Sequence, residues 1–203
     1  MTADSAQPDR TKWLASNLFL GFLVTALSVF TAVTNYATYS LDNTVSDYET
    51  QGDRLLAQSN TESIQATQYI IMDYNMYDGF YINQQKDPAA SDYYQANFSD
   101  ELKAAIDRHD PKGPFDQAYY EAMYADANSH FNDAFAKYDL ANAAGDKQSA
   151  YQLSMLVAAV GLAFAAYGAL LEEANRLRRV FALMSLILLV ISVAQVVMIA
   201  ISK

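Results

Sequence analysis

The chain has 203 residues, no cysteine and a formal net charge of −10. Without cysteine there is no disulfide framework, no metal–thiolate centre and no thiol nucleophile. The acidity is local: residues 42–150 hold 19 Asp/Glu against 7 Lys/Arg, a net of −12, while the rest of the chain is +2. A segment that acidic repels nucleic acid and anionic headgroups, because both need positive charge at the contact.

Three stretches carry no charged side chain: Trp13–Leu41, Gln148–Leu171 and Val180–Ser202. Each is long enough to cross a hydrocarbon core of about 30 Å as a helix. The spans are placed at residues 13–35, 151–171 and 180–202. A tail of residues 1–12 precedes them, and a short basic loop of residues 172–179 joins the last two. A cleaved signal peptide is the alternative for the first stretch, since Arg10 and Lys12 resemble an n-region. Its apolar run exceeds a typical h-region, however, and Trp13, Tyr36 and Tyr39 bracket it as interfacial aromatics would.

Orientation follows from the basic residues. Arg10 and Lys12 before span one, with Arg176, Arg178 and Arg179 between spans two and three, mark one side as cytoplasmic. Residues 36–150 then face away from the cytoplasm in a multi-pass protein of the cell membrane. Lys137, Lys147 and Lys203 are what the opposite orientation would rest on.

Two spans carry stripes of small residues. Gly21, Thr25, Ser28, Ala32 and Asn35 step by four, three, four, three along span one. Ser154, Ala158, Gly161, Ala165 and Gly168 do the same along span two. Small stripes let helix backbones approach closely in lipid. Spans one and two would either pack on each other within one subunit or build a close-packed oligomer. No carboxylate, lysine or histidine falls inside a span, which argues against a proton relay.

The acidic insertion, Asp42–Ala150, reads as helix, with alanine, glutamine and tyrosine frequent and no alternating run. Asp87-Pro88 looks like an N-cap followed by a first-turn proline, and Asp110-Pro111-Lys112-Gly113-Pro114 is a turn. These divide it into a long helix to about residue 85, a second over about 91–109 and a third over about 115–144. Tyr124, Ala127, Phe131, Ala134, Tyr138 and Ala141 form a heptad-like seam. Ile70, Tyr74, Tyr77 and Tyr81 form another. Gly145-Asp146 would mark either a joint before span two or a weak point. The expected fold is an all-α membrane protein with three transmembrane helices and an extracytoplasmic antiparallel helical stalk or bundle between the first and second.

Eleven of the 15 tyrosines lie in this insertion. Most suit a thin core with wet hydroxyls. Tyr93, Tyr94, Tyr119 and Tyr120 cannot all point inward, because neighbours on a helix diverge by about 100°; they are the candidate partner contacts. Chemistry is sparse. Asp126, His130 and Asp133 fall at i, i+4 and i+7 and are weak candidates for a divalent cation, a spacing that chance also produces. Asp73 and Asp78 are five apart and poorly aligned for paired acid–base work. No phosphate loop, nucleophile elbow or dinucleotide fingerprint occurs.

One span, an outward helical bundle and a second span resemble, in architecture alone, the sensory half of bacterial chemoreceptors and sensor kinases. Those receptors continue into a coiled output region, whereas here a third span follows. The expectation is therefore a non-enzymatic membrane subunit or scaffold, without cofactor, that associates with itself or with a larger membrane complex. A homo-oligomeric cation channel and an extracytoplasmic ligand-sensing module without its own output domain are the alternatives. The lipid bilayer is the expected partner, no nucleic acid is expected, and no small-molecule substrate is identifiable.

Overall fold

The computed structural model describes residues 12–201. The tail bearing Arg10, the side chain of Lys12, and Lys203 lie outside the described residues. Within them the chain is all-helical, without strands. A 3-10 turn, Lys12–Ala15, is followed by α1 (Asn17–Asn83), α2 (Pro88–Ala96), α3 (Asp100–Asp107), α4 (Gln117–Met123), α5 (Ala125–Leu170) and α6 (Arg176–Ile201). The chain divides into two compact units, one of residues up to 46 and from 141 onward, the other Asp47–Leu140.

In the first unit, segments of α1 and α5 pack with α6. Helices α1, α5 and α6 are each long and apolar enough to cross a membrane. Their most apolar windows are only 22%, 28% and 11% buried within the protein. Leu18, Phe22, Val33, Leu156, Leu183, Val190 and Val197 are among the side chains left exposed. A helix that is apolar all round needs an apolar surrounding on every side.

The core of this unit is Leu20, Leu23 and Leu27 of α1 against Ala158 and Ala165 of α5 and Ala182 of α6. Glycines make the approach close. A Cβ on Gly161 would lie 3.1 Å from Leu188 Cβ and 3.4 Å from Leu27 Cδ2, and one on Gly168 would lie 3.2 Å from Leu20 Cδ2. Hydroxyls on these helices turn back onto their own backbones: Thr31, Thr34, Thr38, Ser154 and Ser192 each donate to the carbonyl four residues earlier. That satisfies the hydroxyl without any partner helix.

The basic loop departs from its expected form. Helix α6 already begins at Arg176, and Arg178 is buried. Its guanidinium donates to the Leu171 carbonyl and to the Asn17 side chain. The carbonyl lies at the negative end of the α5 dipole, which favours a cation there. Arg178 thus ties the start of α6 to the end of α5 and the start of α1.

The second unit is built from the rest of α1, with α2, α3, α4 and the first part of α5. Thr67 meets Tyr124 (3.1 Å), Ser59 meets Ala127 (2.7 Å) and Asp53 meets Tyr138 (2.7 Å), so α1 and α5 run antiparallel here. Two glycines of α1 serve as seats for tyrosine rings. Tyr138 covers Gly52 and Tyr94 covers Gly79, each so closely that a Cβ would fall under 3 Å from the ring. The seam on α5 is carried by its alanines: Ala127 and Ala134 are buried, whereas Phe131 is 45% exposed and does not sit in it.

The remaining core gathers Ile70, Phe98, Leu102, Ala105 and Tyr119. Each large side chain buried there contributes about 1.5–3 kcal/mol relative to exposure. Aromatic contacts knit it together: Tyr74 stacks on Phe115 at 3.9 Å, and Phe98 meets Phe80 edge-on at 5.6 Å.

Helix ends follow local chemistry. Asp87 caps α2 through the Ala90 N–H with Pro88 in the first turn, as its dipeptide predicts. Left-handed backbone at His109 (φ 53°) and Gly113 (φ 104°) shapes the predicted turn after α3. Two boundaries differ from expectation. The second helix is two, because Ser99 stops the chain and caps α3 through the Leu102 N–H. The third is also two, broken at Tyr124, the C-cap of α4. At Gly145-Asp146, where the sequence left a joint or a weak point open, α5 is continuous.

Candidate functional site

The two small-residue stripes have different fates. On α5, Ser154, Ala158, Gly161, Ala165 and Gly168 are all buried within the first unit. On α1, Gly21, Thr25, Ser28, Ala32 and Asn35 are all exposed, and a Cβ on Gly21 would meet nothing within 4 Å. Spans one and two do pack on each other within one chain, but through the leucines of α1 over the α5 stripe and not stripe against stripe. Helix α1 presents its leucine face inward, because Leu20 and Leu27 fill the hollows over Gly168 and Gly161. The span-one stripe is left as an outward surface of small and polar groups. Thr25 already donates to the Gly21 carbonyl at 2.9 Å, so closer approach by another helix strands no hydroxyl there.

The second unit holds a cleft of about 480 Å³, between α1, the N-terminal turn of α3 and the junction of α4 with α5. Glu62, Glu101 and Asp126 line it beside Gln65, Tyr69, Ser99 and Met123, and no lysine or arginine does. Its size suits a small ligand, and its charge would favour a cationic group. His130 Nδ1 lies 2.8 Å from Glu62 Oε2. That contact holds His130 above the usual imidazole range and Glu62 below the usual carboxylate range.

Behind the cleft, Asp73 is fully buried. Its carboxyl accepts from the Ser99 N–H (3.1 Å), the Ser99 hydroxyl (2.5 Å) and the Tyr119 hydroxyl (2.8 Å). Ser99 is at the same time the cap of α3, so Asp73 anchors that helix start to α1. Burial, then the bond to Asp73, pushes the Tyr119 hydroxyl well above the usual phenol range, and it remains a donor. Nearby, Arg108 holds Asp116 with N–O distances of 2.9 and 2.5 Å. This keeps Asp116 below its ordinary value while it caps α4 through the Tyr119 N–H.

The four tyrosines named as partner contacts separate. Tyr93 is 65% exposed, Tyr94 lies against Gly79, and Tyr119 is core. Tyr120 is half-buried, its hydroxyl 2.5 Å from that of Tyr74, a bond that pushes it up to about 12. Tyr119 is thus removed from any contact surface by its place in the core. For the metal candidates, His130 takes Glu62 as its partner instead of a ligand set with Asp126 and Asp133. Among the described residues no group of three or more His, Asp or Glu is placed to hold a metal ion.

Sequence reading missed Glu62 as the partner of His130 because the two are 68 residues apart. It weighed Asp73 only beside Asp78 for acid–base work and missed its place in the core, although one signal was present. Ile70, Asp73, Tyr77 and Phe80 step by three, four, three, which places a carboxyl in an otherwise apolar register. No family model matches the chain, and neither a curated protein nor a solved structure matches it, so the reading of these sites rests on their geometry.

Proposed function

We propose that this chain is a non-enzymatic integral membrane subunit or scaffold, held by α1, α5 and α6 in the cell membrane with its N-terminus cytoplasmic. Residues 36–150 then form an extracytoplasmic helical domain. The scaffold associates, with itself or with a larger membrane complex, through the span-one stripe.

One observation carries the reading: Gly21, Thr25, Ser28, Ala32 and Asn35 are exposed while the matching stripe of α5 is used up inside the chain. Large apolar residues meet lipid as well as they meet protein. A small-residue stripe exposed on a spanning helix gains more from a second backbone, through close van der Waals contact.

The assembly's mass in lipid nanodiscs tests this. The wild-type chain is expected above monomer mass or with a co-purifying protein, and Gly21→Leu shifts it to monomer. A wild-type chain that is strictly monomeric and alone, from native membranes, would remove the proposal.

A further inference from the structure

We propose that His130 and Glu62 form a pH-operated clasp between α1 and α5 of the second unit, closed while the imidazole holds its proton and loosened when it loses it. Placement supports this. The 2.8 Å contact joins the two long helices beside the cleft that Glu62 itself lines. Among the described residues, the other ion pairs of this unit stay within α3 (Lys103 with Asp100) or link the end of α3 to the start of α4 (Arg108 with Asp116). They do not hold α1 to α5.

Charge around the ring is one-sided. Glu62 faces it from α1, Asp133 acts on it from its own helix, and the Asp126 backbone carbonyl also favours the protonated ring. Glu101 of α3 shares the cleft with Glu62 and Asp126. Lys137, two turns further along α5, is turned to the Tyr48 ring at 5.7 Å. With its proton, His130 is the positive charge that faces Glu62 and Asp133. Without it, the charge attraction between α5 and Glu62 of α1 is lost.

The pH window follows from the two shifts. His130 is raised from 6.5, so its stabilisation is complete below that value and is lost as pH rises through the higher folded one. Glu62 is lowered from 4.5, so its share is present above that value and is lost as pH falls through the lower folded one. The clasp is therefore fully closed between those two ordinary values and opens on the alkaline side.

Amide hydrogen exchange of the full chain in nanodiscs, at about pH 5.5 and about pH 8 and corrected for intrinsic exchange, tests it. Segments around Glu62 and His130 should lose protection by about threefold at the higher pH. Glu62→Gln and His130→Gln should each abolish that response, and His109→Gln should keep it. Constant wild-type protection, or a pH response that survives both substitutions, overturns the proposal. If either variant folds poorly, the wild-type His130 ring provides a second readout by NMR. A titration midpoint above the ordinary imidazole value supports the clasp, and one at or below it overturns it.

Discussion

Asp73→Ala lowers the stability of the second unit by about 3 kcal/mol, since each buried donor left without an acceptor costs about 1–3 kcal/mol. Three donors depend on that carboxyl: the Ser99 N–H, the Ser99 hydroxyl and the Tyr119 hydroxyl. The hydroxyls can rotate in search of other acceptors, but the backbone N–H cannot, and Asp73 is fully buried. Ser99 also caps α3, so the loss spreads to that helix start. Asp73→Asn retains an oxygen acceptor and costs about 1 kcal/mol. Denaturant unfolding followed by tyrosine near-ultraviolet dichroism measures both. An alanine variant as stable as the parent would contradict the anchoring role.

Gly161→Leu produces the second large effect, in the first unit. A Cβ alone would meet Leu188 Cβ at 3.1 Å and Leu27 Cδ2 at 3.4 Å, before any further side-chain atoms are added. Overpacking of this kind costs about 1–3 kcal/mol and pushes neighbouring backbones apart. Helices α1, α5 and α6 all meet at this glycine, so all three are disturbed. A mixed-micelle denaturation series should show an earlier midpoint for Gly161→Leu than for Gly21→Leu, whose surroundings within the chain are open and whose effect is confined to lost association. Equal midpoints for the two would mean that the glycines are equivalent and the packing is misassigned.

The three apolar helices were legible because they depend on composition and length alone. So were the Asp87-Pro88 cap and the turn before Phe115, where proline and glycine constrain the backbone locally. The break at Asn97–Ser99 was not legible. Ser99 becomes a cap while its N–H and hydroxyl are held by Asp73, 26 residues earlier. The seam of α5 on α1 was legible in Tyr124, Ala127, Ala134 and Tyr138, while the exposure of Phe131 and the seating of Tyr138 over Gly52 were hidden.

Stripes were visible on both spans, but periodicity gives a face and not the direction in which it points. That direction was decided by shape. The leucines of α1 fit the hollows of α5 better than its own small residues would. His130 shows the same limit for charge, because Asp126 and Asp133 were near in sequence and Glu62 was the partner found.

Disulfide cross-linking in native membranes tests the scaffold reading most directly, and the absence of cysteine makes it clean. Ser28→Cys or Ala32→Cys should give a cross-linked dimer, or a heavier adduct with a partner. Val190→Cys, exposed on α6, should not. Absence of any adduct from the α1 stripe, or equal adducts from Val190→Cys, would contradict association through that face.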